Sequence, residues 1–231
     1  MFSRIRAIWA LIELGITVPL KILFMYIFRP YNRVVRRIWA KMQPILLGYK
    51  IVQKGSISRD AKLLLLNHQS MLDIVIIEDL HPGDTCWVAK EEITKIPIYG
   101  HIMYPPKMIS INRSDRRSMV KLIKTAKNRI EEGRTIALFP EGTRSNGDKL
   151  LKFQTGAKAL AEKLNLTVQP VVIVGSRAIL DSKNLTSKWG EVRIVFLDTI
   201  KPNEDPNWYE NMKQKMQESL ENELANPPRH W

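Results

Sequence analysis

Cysteine is nearly absent: Cys86 stands alone in 231 residues. One thiol excludes an intramolecular disulfide framework and any zinc site built from several cysteines. Glycine is sparse as well, at 11 residues, and proline is ordinary at 13, beside 45% hydrophobic content. That balance excludes a collagen-like or wholly disordered chain. Acidic residues are also short in number, 23 against 36 Lys+Arg, which leaves a net charge of +13 and a pI near 9.9. A surplus of this size implies an anionic partner: nucleic acid, an anionic membrane, or a phosphorylated substrate. Internal repeats and low-complexity tracts are missing too.

The excess charge is concentrated. The first 60 residues hold eleven Lys and Arg against two acids, Glu13 and Asp60, so nine of the thirteen charges lie there. The same stretch is strongly apolar from Ala7 to Phe28, broken by Glu13, Lys21 and Pro19. A nucleic-acid arm would be basic without such a run, so nucleic acid is not the expected partner. A transmembrane helix needs roughly 20 apolar residues, and 7–28 is long enough, but Glu13 and Lys21 would each cost about 2.5–3.5 kcal/mol near the bilayer centre. A secretory signal is disfavoured because Arg29-Pro30-Tyr31 follows where a small-residue cleavage site should be. A second apolar patch, Ile38 to Leu47, follows the arginines at 29, 33, 36 and 37. Cations beside apolar helical faces suit an anionic headgroup layer. A helix pair partly embedded in one leaflet fits best. A full span and a buried core pair are the alternatives.

From about residue 51 the pattern changes. Short apolar runs at 61–66, 85–88, 108–111, 135–139, 168–174 and 192–197 alternate with amphipathic stretches at 117–132 and 156–164. Runs of four to seven bounded by turn signals predict buried strands, and alternation with helices predicts an α/β fold: a central, mostly parallel sheet flanked by helices. The tail from Pro202 reads as one surface helix and a loose end. The expected organisation is a membrane-associating segment over 1–50 and a catalytic-sized domain over 51–231.

Chemistry-bearing residues cluster just after the strands. Asn67-His68-Gln69-Ser70-Met71-Leu72-Asp73 follows the leucine run. A carboxylate on one imidazole nitrogen fixes the tautomer and raises the basicity of the other, so His68 and Asp73 form a base and its orienter without a serine. Phe139-Pro140-Glu141-Gly142-Thr143-Arg144-Ser145 follows the 135–139 run. Gly142 lets the backbone approach a ligand, and Thr143, Arg144 and Ser145 are donors suited to a phosphate. Arg113, after Met108-Ile109-Ser110-Ile111-Asn112, is a second phosphate candidate. If these strands run parallel, all three groups emerge at the carboxyl edge of the sheet, where open α/β sheets bind ligands.

These two main motifs, in this order and about 70 residues apart, resemble the glycerophospholipid acyltransferase family, and within it the bacterial-type 1-acylglycerol-3-phosphate acyltransferases. Ala89-Lys90-Glu91-Glu92-Ile93, Ile96-Pro97-Ile98-Tyr99-Gly100, Lys152 to Ala157 and Val168-Gln169-Pro170-Val171 are similar to that family as well. The resemblance covers roughly residues 55–200. It implies transfer of a fatty acyl chain from acyl-CoA or acyl-carrier protein to the 2-hydroxyl of lysophosphatidic acid, giving phosphatidic acid. It further implies His68 as general base, Asp73 as its orienter, and Arg113 and Arg144 on the acceptor phosphate. Glu141 and Gly142 would position the acceptor or the oxyanion region, beside Thr143. No metal and no resident cofactor are implied. Lys107 stands where the family usually has glycine, and Asn112 where it often has an acid. Lys107 is either an added cation for the phosphate or thioester site or a solvated one. The expected location is the cytoplasmic face of the cell inner membrane, among membrane lipids. The alternatives are another acceptor, glycerol-3-phosphate or a different lyso-lipid, and a non-catalytic basic membrane-binding protein.

Overall fold

A computed structural model describes residues 2–112, 115 and 117–230. Seven strands form one sheet: β1 (Tyr49–Lys54), β2 (Leu63–Leu66), β3 (Thr85–Lys90), β4 (Ile109–Ile111), β5 (Thr135–Leu138), β6 (Val168–Val174) and β7 (Gly190–Phe196), in the spatial order β1-β7-β6-β2-β5-β3-β4. The five strands from β6 to β4 are mutually parallel. β7 runs antiparallel to β6, and β1 follows β7. The expected mostly parallel α/β sheet is therefore present. The expected strands at 168–174 and 135–139 match β6 and β5 closely.

β2 sits in the middle, and all four of its leucines are fully buried. A central parallel strand is covered on both faces, which favours a continuous apolar run over alternation. Leu63 and Leu65 face one core and Leu64 and Leu66 the other, the period of two expected of a strand. The first core is closed by α5 (Arg117–Glu131), α6 (Thr155–Lys163) and α8 (Trp208–Ala225). The second is closed by α3 (Leu72–Leu80) and α7 (Ser176–Ile179), together with residues of α1 (Phe2–Ile27) and α2 (Asn32–Leu47). A four-residue turn of helix, α4 (Glu91–Thr94), follows β3. The tail helix α8 is more than a surface helix: Trp208, Tyr209, Met212, Met216 and Leu220 recur on one face, and all are buried.

α2 ends at Gly48, whose φ of 67° supplies a left-handed cap. β1 begins at the next residue, so the boundary expected at 50/51 falls inside a strand. The charges in the apolar N-terminal run are turned into the protein. Glu13 accepts hydrogen bonds from Thr17 (3.1 Å) and Gln43 (3.2 Å). Lys21 lies 3.6 Å from the centroid of the Trp39 ring, and burial pushes its ammonium down to about 7. Arg36, expected among the surface cations, is buried instead, paired with Glu78 at 2.6 Å and with Asp84. The outward face of the pair carries Ile5, Ile8, Trp9, Ile12, Ile16, Leu23 and Ile38, all about half exposed. α1 is the one helix among the described residues long and apolar enough to cross a membrane.

Candidate active site

The chain leaves β2 through α3 towards β3 on one face of the sheet. It leaves β5 through α6 towards β6 on the other. β2 and β5 are neighbours, so a crevice opens between their carboxyl ends, at a topological switch point where open α/β sheets place ligands. The His68 segment follows β2 and the Glu141 segment follows β5.

His68 Nδ1 lies 2.8 Å from Asp73 Oδ2. The same oxygen accepts from the backbone N–H of Gln69 (2.7 Å) and Ser70 (2.9 Å), and Asp73 Oδ1 accepts from Ser176 Oγ (2.5 Å). Asp73 sits in the first turn of α3, where a carboxylate reaching back to preceding N–H groups stabilises the helix start. It is fully buried, while the His68 ring keeps 14% of its surface exposed. The acceptor at Nδ1 assigns the proton to that nitrogen and leaves Nε2 as a lone pair on the cleft side. The ring is stacked on Phe139, with centroids 3.8 Å apart and planes 12° from parallel. Asn67 completes the segment by pairing with both backbone groups of Ile173, which ties the end of β2 to β6.

Glu141 takes a different place from the one expected. It is buried, and its two oxygens accept from the backbone N–H of His68 and Leu151, each at 2.8 Å. Burial pushes its carboxyl up and these backbone bonds oppose the shift. Glu141 therefore staples the two loops together and is not among the cleft-lining residues. Ser145 reinforces the staple by donating its N–H to His68 O at 2.7 Å. Gly142 turns the chain at φ 72°.

The cleft, of about 580 Å³, is lined by His68, Gly142, Thr143 and Arg144 together with Lys90, Arg177, Asp181 and Lys183. Arg144 donates to Ser182 Oγ at 3.1 Å. Arg177 pairs with Asp181 at 2.8 Å and donates to Ser145 O at 2.7 Å. Burial alone would raise the Asp181 carboxyl, but bonds from Asn184 and the charge of Arg177 bring it below its ordinary value. Four cations thus face one carboxylate around the opening, which suits a multiply charged anion. Behind Phe139 and Val88 lies a second, mostly apolar pocket of about 290 Å³, bordered by Met119, Leu122 and Leu138.

A family model described as Acyltransferase matches residues 50–174. Over 219 residues the chain is 39% identical to a 1-acyl-sn-glycerol-3-phosphate acyltransferase of Helicobacter pylori, covering 93% of this chain and 92% of that one. The chain belongs to the Acyltransferase family. Among other relatives of this acyltransferase is a lyso-ornithine lipid O-acyltransferase of Rhizobium meliloti, 30% identical over 68% of this chain and 56% of that one. The fold matches the crystal structure of the 1-acyl-sn-glycerophosphate (LPA) acyltransferase PlsC of Thermotoga maritima, with a TM-score of 0.81, 22% identity and 96% of each chain covered.

In this acyltransferase the structure brings His68, Asp73, Gly142, Thr143 and Arg144 to one crevice and turns Glu141 inward. Arg113 lies outside the described residues. Lys107 is not at this cleft. It precedes β4 and lines an opening with Asp84 and Arg134, which precede β3 and β5, at the opposite edge of the sheet. Its φ of 49° is the conformation that a glycine would adopt there without strain. Sequence reasoning missed Ser176, Arg177 and Lys183. The available signal was Gly175-Ser176 directly after the buried β6 run, at the same carboxyl edge as the other two motifs.

Proposed function

We propose that this acyltransferase moves a fatty acyl group from a thioester, acyl-CoA or acyl-carrier protein, to the 2-hydroxyl of 1-acylglycerol-3-phosphate, giving phosphatidic acid. The observation that carries the reading is the His68–Asp73 pair at 2.8 Å, set at the switch point in a cleft rimmed by Lys90, Arg144, Arg177 and Lys183. His68 Nε2 takes the proton of the 2-hydroxyl as its oxygen attacks the thioester carbonyl. The tetrahedral intermediate collapses and expels the thiolate, which recovers the proton from the imidazolium. Asp73 holds the ring and offsets its positive charge while the proton is on it. A positioned base supplies about 10²–10⁴-fold. Neither a metal nor a covalent acyl-enzyme enters this sequence. The cations suit the phosphate dianion, and the adjoining apolar pocket suits an acyl chain.

The same reading assigns 1–50 to membrane association and 51–231 to the catalytic domain, at the cytoplasmic face of the inner membrane. The apolar outer face of α1, the exposed cations Arg29 and Lys41 and the half-buried Arg33 and Arg37 support a helix pair lying in one leaflet. The test is thiol release and lipid product with purified protein, lysophosphatidic acid and each donor type. His68→Ala is expected to abolish both while vesicle binding is kept. Turnover at the wild-type rate in that variant refutes the base assignment. A lyso-ornithine lipid preferred over lysophosphatidic acid in the same assay refutes the acceptor.

A further inference from the structure

Away from α1 and α2, one short loop gathers exposed apolar side chains. Between α4 and β4, Ile96, Ile98, Tyr99 and Tyr104 are 47%, 61%, 38% and 53% exposed. The loop is tied to α1 at two points. Tyr99 Oη donates to Gly15 O at 3.1 Å, and Tyr26 Oη lies 2.7 Å from His101 Nδ1. Gly15 and Tyr26 are eleven residues apart, about three helical turns, and so lie on the same side of α1. That side also carries Ile8 and Ile12, at the edge of the exposed apolar stripe. The loop therefore flanks the stripe and is held to it along about 16 Å of helix.

The backbone forces the tip outward. Ile98 has φ 63° and ψ −58°, a strained γ-turn conformation that is costly for a β-branched residue. It is imposed by a tight turn in which Tyr99 N–H bonds Pro97 O at 2.6 Å and Gly100 N–H bonds Ile96 O at 2.8 Å. A Cβ at Gly100 would stand 2.4 Å from Thr94 O, so only glycine closes the turn. Strain spent on presenting isoleucine to water has no stabilising return within the fold. The loop also adjoins the cleft, since Lys90 and Ile93, immediately before it, line the opening.

We propose that the Ile96–Tyr104 loop is a second membrane-contacting element, dipping its apolar tip into the same leaflet as α1 beside the mouth of the cleft. The occupant is the lipid bilayer. Continuity with the α1 stripe and the nearby unburied cations Arg29, Arg33 and Arg37 favour an anionic lipid surface over a protein partner. A lysolipid could then present its head to the cleft while its tail stays against the loop. The inference rests on the reading of α1 and α2 as membrane helices.

Cys86 is buried and burial pushes its thiol up, so an introduced exposed cysteine is labelled selectively. The full chain carrying Ile98→Cys is labelled with an environment-sensitive fluorophore and mixed with phosphatidylcholine–phosphatidylglycerol vesicles. Ile16→Cys on α1 and Lys215→Cys on the exposed side of α8 are labelled in parallel. The expected result is a blue shift at 16 and 98, quenched by lipids brominated in the acyl chain, and none at 215. A response at 16 without one at 98 overturns the loop proposal and leaves the membrane helices standing. No response at either position overturns both. A shift at 98 that needs no lipid and grows with protein concentration replaces the bilayer with a second copy of the chain. As a functional arm, Ile96→Asp/Ile98→Asp is expected to lower turnover of vesicle-borne lysolipid by about tenfold or more, by losing buried apolar surface at the membrane. Turnover of a short-chain, monomeric lysolipid should be retained. Equal loss on both substrates overturns the proposal.

Discussion

Replacing Asp73 with asparagine separates the positioning of His68 from the folding of its segment. Three donors meet Oδ2: His68 Nδ1 at 2.8 Å, Gln69 N at 2.7 Å and Ser70 N at 2.9 Å. Two of them are backbone N–H groups, so the asparagine oxygen must take that place and its amide must face Ser176 Oγ. A hydroxyl can rotate to accept from that amide, so the packing survives. Hydrogen bonds to a charged group are worth about 1.5–3 kcal/mol and neutral ones about 0.5–1.5, so the expected loss of stability is about 1–3 kcal/mol. The loss of rate should be larger. The amide oxygen still accepts from Nδ1–H and so keeps the tautomer, but a neutral amide no longer offsets the imidazolium, removing most of the ~10²–10⁴-fold that a positioned base supplies. At 1.36 kcal/mol per decade that is about 2.7–5.4 kcal/mol of barrier. Steady-state thiol release at saturating lysophosphatidic acid measures it, with unfolding midpoints recorded for the same preparations. The double variant Asp73→Asn/His68→Ala should be no slower than the worse single one, because the two residues act as a unit. A folded Asp73→Asn enzyme within tenfold of wild type, or rate losses that multiply in the double variant, would refute the reasoning.

Ser176→Ala removes the donor on Asp73 Oδ1 while touching nothing in the cleft; kcat should fall by about tenfold, the value of one hydrogen bond, with KM for both substrates unchanged. Glu141→Ala leaves the N–H groups of His68 and Leu151 without their acceptors. At about 1–3 kcal/mol each the denaturation midpoint should drop by the equivalent of about 2–6 kcal/mol, and Glu141→Gln should fall between. Lys21, held near 7 by burial, binds fewer protons folded than unfolded between that pH and its ordinary value. Stability should therefore rise with pH from about 7 upward, and a Tm series on Lys21→Met should lose that rise.

Legibility in the sequence followed burial. β2 and β6 are covered on both faces, so β2 shows as an unbroken apolar run and β6 as one broken only by Gln169, and β5 is apolar after Thr135. β1 escaped because it is an edge strand whose Lys50, Gln53 and Lys54 are open to solvent or to the α8 acid Glu223. α3 escaped for the opposite reason. Apolar residues occupy most of Leu72–Leu80, so the helical period is filled in and nothing marks a face. Strand order and the reversal at β7 depend on which runs pair, which no single run contains. In the site, the β2 and β5 loops carry a histidine, two acids and an arginine at turn signals. The β6 contribution is a serine and an arginine on a four-residue helix, whose role exists only because Asp73 and Ser145 lie opposite them.

The basic composition divides by environment. Lys21 and Arg36 are inside the protein, on Trp39, Glu78 and Asp84. A lone α1 would carry Glu13 and Lys21 towards lipid at a cost of about 2.5–3.5 kcal/mol each. Paired with α2 it turns both inward and leaves a stripe of isoleucine, leucine and aromatic side chains outside. The pairing therefore removes the cost that the two charges would pose for membrane contact. It also fixes where the stripe points, because α2 is locked to α3 through Arg36 and Glu78, and α3 begins at the carboxylate that holds His68. One chain of contacts thus runs from the outer apolar face to the imidazole. A variant that loosens it, such as Arg36→Met with Glu78 left buried, should lose about 3–5 kcal/mol of stability and slow vesicle-borne turnover before it affects turnover of monomeric substrate.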